Sequence, residues 1–342
     1  IPAKKNVPDV LRELKNRGAS LNVLTASPHI TLDACLKRLG LWELFDNVWS
    51  CDDFATTKAD PAIYRMAAER IGRSVEEILF LDDNYNADVT AKAAGMTTLV
   101  FEDDFESLDT IDLENTGKEG YKWYTCRAFG AQPMKPTDVK VENSVLTLAC
   151  ENAIWNYGLC TFNPKTLAGW SFFKGVLEFR VRIPRPRANN KEAEEKGVPA
   201  VWSFPPSKIT DDTLDWVEPD WMEYWGDGYW TLTVHHMKRA VRKGDVVYWI
   251  SNANHRAPKS LDDGEWHTLT YLWDDGVIEG YIDGEPTVKV TYAPKELSPE
   301  PYLHKGEADD PYQPLEREPQ ALILGGSWCN PMELDWIRVW QK

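Results

Sequence analysis

The stretch DWVEPDWMEYWGDG, residues 215–228, sets Glu218, Asp220 and Glu223 among tryptophan and tyrosine side chains. Acidic groups are costly to bury beside aromatic ones unless they have a chemical task. In a regular strand Glu218 and Asp220 share one face, whereas Glu223 points to the opposite face. We therefore predict a β-bulge that brings Glu223 round to the face of the other two carboxylates, as bulges beside active sites do.

With the bulge, Glu218 and Glu223 are about four strand steps apart, which is roughly 13 Å between their Cα atoms. Side chains that lean together across this gap can approach the ~5–5.5 Å at which one carboxyl attacks an anomeric carbon while the other protonates the leaving oxygen. Asp220 lies between them and would share a proton with Glu218, which helps to set the charge state of Glu218. The spacing therefore points to glycosidic chemistry.

Short alternating segments surround this stretch from about residue 101 to the last residue. They are rich in aromatic and β-branched side chains and are separated by Pro, Gly, Asn and Asp turns: SVLTLAC, GVLEFRVRIP, YWTLTVHH, VVYWIS, HTLTYLW, VIEGYIDG, TVKVTY, ALILGG and ELDWIRVWQ. Many strands with no helix between them predict an antiparallel sandwich or barrel over residues 101–342.

Residues 1–100 show a different pattern, in which helical and strand segments alternate. PDVLRELKNRG, TLDACLKRLG, PAIYRMAAERIG and NADVTAKAAG have helical periodicity, and LNVLTAS, EILFLDD and TTLVF read as short strands. Of the 16 tryptophans, 14 lie after residue 100, so the composition changes at the same place. We predict an α/β domain with a parallel sheet, followed by the β domain.

The net charge, the hydropathy and the cysteine pattern argue against several classes of function. The 54 acidic against 38 basic residues give a net charge of -16, which opposes nucleic-acid binding. No apolar stretch approaches the ~18 residues of a membrane span, so we expect no membrane association. The six cysteines show no C-x-x-C pair, which makes a zinc site improbable and predicts free thiols.

Polar and charged side chains follow the predicted strands of the first domain. Thr25 ends one apolar strand, Lys58 precedes a helix that begins at Pro61, and Asp82 and Asp83 end another strand. Carboxylates at the carboxyl end of a parallel strand are well placed to hold a divalent metal.

These segments, LNVLTAS, KADP and ILFLDDNYNADVTAKAAGM, resemble the second, third and fourth motifs of the haloacid dehalogenase (HAD) superfamily. The resemblance implies a Rossmann-like fold, in which Thr25 and Lys58 bind phosphate and Asp82 and Asp83 bind magnesium. The first motif of that family, an Asp-x-Asp that supplies the nucleophile, is absent from this chain. We therefore expect a partial, vestigial HAD domain that does not hydrolyse phosphate esters.

The second domain resembles glycoside hydrolase family 16, whose signature is Glu-x-Asp-x-x-Glu on a bulged strand of a concanavalin A-like jelly roll. FFKGVLEFRVRIP, PAVWSFP, DDGEWHTLTYLW and MELDWIRVWQK also follow the order of that family. The resemblance implies that Glu218 is the nucleophile, Asp220 its partner and Glu223 the general acid and base. It implies sugar contacts for a further set of residues: Trp216, Trp202, Trp225, Arg180 and His235.

The favoured function is a retaining endo-glycoside hydrolase that cleaves a β-linked polysaccharide, with a β-1,3-glucan preferred over agar, porphyran or carrageenan. The alternatives are a carbohydrate-binding protein without activity and a HAD-type phosphatase whose nucleophile segment is missing from this chain. Hydrolysis of this kind needs no cofactor, and a structural calcium ion would lie among the acidic loops. We expect an extracellular or periplasmic location for the glycosidase half and a cytoplasmic one for the HAD half.

Overall fold

The structure is a computed structural model. It describes residues 7–82, 85–125, 134–149, 158–163, 165–184, 198–210, 216–226, 228–242, 245–256, 263–274, 276–291, 318–326 and 331–341. The chain divides into unit 1, Ile1–Val100 together with Lys342, and unit 2, Phe101–Gln341.

Unit 1 is an α/β unit, as its alternating periodicity predicts. Its helices are α1 (Val7–Asn16), α2 (His29–Arg38), α3 (Pro61–Ile71) and α4 (Tyr85–Ala94). Its strands are β1 (Asn22–Thr25), β2 (Asn47–Ser50), β3 (Leu79–Phe80) and the first four residues of β4 (Thr97–Asp103). Strand β1 pairs with β2 and β3 pairs with β4, both in parallel.

Helix α3 shows how local sequence sets the elements of unit 1. Asp60 caps its first turn by accepting a hydrogen bond from the Ala62 amide at 2.9 Å, and Pro61 occupies the first helical position, where no amide donor is needed. Gly72 ends the helix in the left-handed region at φ 76°. The helix buries Ile63 and Tyr64 completely in the core of unit 1.

Unit 2 is built almost entirely of strands. They are β5 (Ile111–Asp112), β6 (Trp123–Thr125), β7 (Val139–Glu142), β8 (Val145–Leu148), β9 (Gly158–Cys160), β10 (Gly175–Arg182), β11 (Ala200–Phe204), β12 (Trp216–Tyr224), β13 (Trp230–Arg242), β14 (Asp245–Arg256), β15 (His267–Asp274), β16 (Val277–Ile282), β17 (Glu285–Thr291), β18 (Ala321–Gly325) and β19 (Met332–Gln341). A short helix, α5 (Pro206–Thr210), follows β11.

The strands of unit 2 form two sheets. One has the order β17-β16-β15-β10-β19, with β8 and then β7 beside β19, and the other has the order β14-β13-β12-β11-β18-β9-β6-β5. Trp221 of the second sheet contacts Tyr271 and Trp273 of the first, with ring centroids 5.6 and 6.3 Å apart, so the core lies between the sheets. The predicted β-sandwich is confirmed.

Two further predictions can be compared with the structure. Cys35, Cys51 and Cys160 are free thiols, and Cys126, Cys150 and Cys329 lie outside the described residues. Within the described ranges, no helix combines the length and the hydrophobicity that crossing a bilayer would require.

Candidate active site

The candidate site lies on β12, an interior strand of the second sheet between β11 and β13. Asp220 pairs with Thr233 of β13, and Glu223 pairs with Thr231, so three steps along β12 oppose two steps along β13. The same irregularity appears toward β11. The predicted bulge is therefore present, and the strand continues through Pro219, which pairs with Val234.

Each of the three carboxylates has a hydrogen-bonding partner. Nε1 of Trp216 donates to Oε2 of Glu218 at 2.7 Å, and Oγ1 of Thr233 donates to Oε2 of Glu223 at 3.1 Å. Oδ2 of Asp220 lies 2.8 Å from Nε2 of His235. Asp220 and Glu223 are buried, and Glu218 is half-buried. All three carboxylates are therefore largely shielded from bulk water.

Desolvation dominates the electrostatics of this cluster. It raises the pKa of Glu218 to about 7 and that of Glu223 to about 8, and the negative charge of Asp220 adds to both shifts. The pKa of Asp220 is also raised by burial, although its hydrogen bond with His235 opposes the change. Burial and the charge of Asp220 thus make both glutamates hold a proton to higher pH than an exposed carboxyl does.

Asp220, Glu223 and His235 offer side-chain atoms within 4.8 Å of one another. Such spacing is compatible with metal coordination, but Nε2 of His235 is already bonded to Asp220, and Glu223 accepts from Thr233. We interpret the group as a proton-sharing network and assign no metal to it.

The aromatic candidates near the carboxylates differ in accessibility. Trp202 is 6% exposed and Trp216 is 7% exposed, and both belong to an apolar cluster with Phe204. The ammonium of Lys208 lies 4.0 Å from the ring centroid of Trp216. Trp216 is therefore a buried partner of Glu218 and not the open stacking surface that the sequence predicted, whereas Trp225, just after β12, is partly exposed.

His235 and Arg180 lie in different sheets. His235 lies beside the carboxylates, and its predicted sugar contact stays a prediction. Arg180 lies on β10 of the other sheet, where the alternating Phe179 and Val181 are buried in the core, so Arg180 points to the outer face. There it pairs with Asp335. The prediction that Arg180 contacts sugar beside the carboxylates is corrected by this placement.

Two site residues were not predicted from the sequence. Thr233 alternates with His235 on β13, so strand periodicity places both on one face and could have identified Thr233. Lys208 belongs to the short helix α5, and no periodic pattern in the sequence indicates that its side chain is 1% exposed against Trp216.

In unit 1 the structure brings together Lys58 and Asp82, which form an ion pair. The hydroxyl of Tyr64 donates to the Lys58 carbonyl at 2.9 Å and to the Ala87 carbonyl at 3.0 Å, which ties α3 to this site. Thr25 ends β1, and its Oγ1 accepts from the Ser27 amide at 3.2 Å.

Asp83 lies outside the described residues, so magnesium binding at this pair stays a prediction. The described side chains do not by themselves fit a magnesium ion, because the Asp82 carboxylate is engaged by the Lys58 ammonium. We derive no chemical step through a metal in unit 1.

Solved structures similar to the chain include a laminarinase and an endo-β-1,3(4)-glucanase. The laminarinase catalytic domain of Thermotoga maritima MSB8 has a TM-score of 0.44 and 16% identity, with 72% of this chain and 98% of that chain covered. A non-specific endo-β-1,3(4)-glucanase of family GH16 has a TM-score of 0.44 and 19% identity, with 72% and 91% covered.

Curated relatives match a smaller part of the chain. The putative phosphatase YhcW of Bacillus subtilis (strain 168) is 29% identical over 119 residues, which is 32% of this chain and 54% of that protein. The pyrophosphatase PpaX of Bacillus velezensis is 34% identical over 94 residues, which is 28% of this chain and 44% of that protein. The chain thus spans about half the length of these relatives.

The family model that matches is that of haloacid dehalogenase-like hydrolases, over residues 1–95. This range contains the first two motifs that carry the predicted resemblance and all but the last residue of the third. The HAD-like character of the first domain is therefore confirmed for residues 1–95.

Proposed function

We propose that unit 2 is a retaining endo-glycoside hydrolase that acts on a β-linked polysaccharide. The observation that carries this proposal is the bulge on β12, which opposes Asp220 to Thr233 and Glu223 to Thr231. A strand without the bulge would turn Glu223 away from Glu218 and leave no pair of carboxyls to share the two steps of the reaction.

Glu218 and Glu223 have different roles in the proposed reaction. The ionised Glu218 attacks the anomeric carbon, the bond to the leaving oxygen breaks, and Glu223 gives its proton to that oxygen. Glu223, now ionised, then takes a proton from water, whose oxygen attacks the same carbon and releases Glu218. Asp220 and its partner His235 adjust the charge around both steps, because Asp220 raises the pKa of each glutamate.

A neutral glycan, with a β-1,3-glucan favoured, fits the charge distribution better than a sulfated one. The net charge of -16 repels polyanions. The guanidinium groups of Arg180 and Arg182, which would suit a sulfate group, both lie on β10 in the other sheet, where they pair with Asp335 and Glu333. An enzyme that acts on polysaccharide also suits an extracellular or periplasmic location.

The test is a reducing-sugar assay with laminarin, mixed-linkage β-glucan, agarose, porphyran, carrageenan and an α-glucan. We expect release of reducing ends from the β-1,3-linked glucan and none from the α-glucan. An NMR time course on the accepted glycan should show the β-anomer first, because two successive inversions restore the starting configuration. Release of the α-anomer first would refute the retaining mechanism, and binding without release from any glycan would favour the non-catalytic alternative.

A further inference from the structure

Lys208 is a buried cation beside the candidate nucleophile. Lys208 is 1% exposed, and its ammonium lies over the Trp216 ring, 4.0 Å from the ring centroid. A desolvated ammonium is costly unless its charge is used, and the face of an indole is a favourable site for a cation. The position of Lys208 therefore places a positive charge against one face of Trp216.

Trp216 connects this cation to Glu218. One side of the indole faces the Lys208 ammonium, and its Nε1 donates to Oε2 of Glu218 at 2.7 Å. A cation over the ring draws electron density toward itself, which makes the N–H a stronger donor. A stronger donor stabilises the ionised form of the carboxyl that accepts from it.

The other charged groups that face Glu218 cannot replace Lys208. Asp220 and Glu223, both on β12, are acidic and disfavour a second negative charge. His235 of β13 is positive only when protonated, and its Nε2 is bonded to Asp220. Among the described groups around Glu218, Lys208 on α5 is the cation that lies against the Trp216 indole, and it also favours the ionised carboxyl through space.

We propose that Lys208 is a positioning residue that acts through the Trp216 indole to keep Glu218 ionised. The inference deepens the proposed function, on which it rests, because it assigns the means by which the nucleophile stays charged beside two other acids. Lys208 touches no reacting atom in this scheme.

The test follows the indole N–H of Trp216 by NMR in the full chain labelled with 15N-tryptophan. The resonance is assigned by its loss in Trp216→Phe, and its titration with pH is assigned to Glu218 by its loss in Glu218→Gln. Lys208→Met keeps the length of the side chain and removes its charge, and Lys208→Arg keeps the charge.

We expect the titration midpoint to rise by about one pH unit in Lys208→Met and to stay near the wild-type value in Lys208→Arg. An unchanged midpoint in Lys208→Met, or an indole resonance that does not titrate in the wild type, would overturn the inference. Should Lys208→Met fail to fold, Lys208→Gln provides the same comparison.

Activity adds a second readout. In Lys208→Met the acidic limb of kcat/KM against pH should move to higher pH by the same amount as the NMR midpoint, because the limb reports ionisation of Glu218. If no glycan is hydrolysed, the proposed function fails, and the NMR titration still decides whether Lys208 controls the charge of Glu218.

Discussion

Both units contain buried acidic side chains, but unit 1 pairs its acidic group with a basic one, whereas unit 2 places three acidic groups together. In unit 1, Asp82 is paired with Lys58, and the two side chains are 8% and 20% exposed. In unit 2, Glu218, Asp220 and Glu223 share one short stretch of strand. Pairing opposite charges in a desolvated place compensates much of the cost of burial, whereas clustering like charges adds to that cost.

An ion pair of this kind suits a structural role, whereas a cluster of acidic groups suits a chemical one. The cluster in unit 2 raises the pKa of Glu218 to about 7 and that of Glu223 to about 8, so both groups change protonation near neutral pH. Groups that titrate near the working pH can exchange protons with a substrate. The pair in unit 1 joins opposite charges, so we expect it to contribute mainly to the stability of unit 1.

The largest expected effect comes from removing Glu218, the proposed nucleophile of the cluster. Glu218→Gln should lower kcat on the accepted glycan by more than ~10³-fold, because the amide cannot attack an anomeric carbon. The fold should persist, since the amide can still accept from Trp216. Reducing-sugar release measures the first effect, and circular dichroism with a thermal melt checks the second.

Glu142→Gln is the matched control, because Glu142 is an exposed glutamate on β7 of the same unit. It should hydrolyse glycan at the wild-type rate. Glu218→Gln with wild-type activity would remove Glu218 from the reaction and leave the cluster without a nucleophile.

The next effect is the pH dependence of the cluster. Activity requires Glu218 ionised and Glu223 protonated, so kcat/KM should rise as pH approaches about 7 and fall above about 8. Well below pH 7 and well above pH 8, kcat/KM should change by nearly tenfold per pH unit. Asp220→Asn should move both limbs to lower pH, because the charge of Asp220 raises both pKa values. Limbs that stay in place in this variant would show that Asp220 does not set the charge state of the glutamates.

Within unit 2, the sequence predicted the strand that carries the carboxylates better than the surroundings of that strand. The Glu-x-Asp-x-x-Glu spacing and strand periodicity were enough to predict the sandwich and the bulge, because both depend on local alternation. Periodicity could not predict that Arg180 belongs to the other sheet, because sheet membership is decided by long-range pairing. The burial of Lys208 likewise depends on how α5 packs, which no local pattern encodes.

A smaller effect concerns the free energy of unfolding. Removing a clustered charge should raise it, whereas removing one member of an ion pair should lower it. Glu223 has a folded pKa of about 8, above its unfolded value of ~4.3. Between these values the folded chain holds a proton that the unfolded chain has lost, so the free energy of unfolding falls as pH rises, by up to ~1.4 kcal/mol per unit. Below pH ~4 the group is protonated in both states and contributes no slope.

Glu223→Gln should abolish this contribution. Urea unfolding should show the variant and the wild type nearly equal at pH 4.5 and the variant more stable by ~2 kcal/mol or more at pH 8. Glu142→Gln again serves as the control and should leave the pH dependence of the wild type unchanged. Equal slopes in Glu223→Gln and the wild type would mean that Glu223 is ionised in the folded chain at neutral pH.

The smallest effect comes from breaking the pair in unit 1, and it should have the opposite sign. Lys58→Met leaves the nearly buried Asp82 without its cation, which should destabilise unit 1 by ~1–3 kcal/mol. The double variant Lys58→Met/Asp82→Asn should recover most of that loss, because it removes the unpaired charge. Hydrogen exchange of the α3 amides reports unit 1 separately from unit 2 and should show faster exchange in the single variant only. Arg73→Met, which breaks an exposed pair with Glu77, is the control and should change exchange little, since exposed pairs are worth ~0–1 kcal/mol. If Lys58→Met exchanges like the wild type, the pair does not stabilise unit 1, and a functional reason for keeping Lys58 beside Asp82 becomes the better explanation.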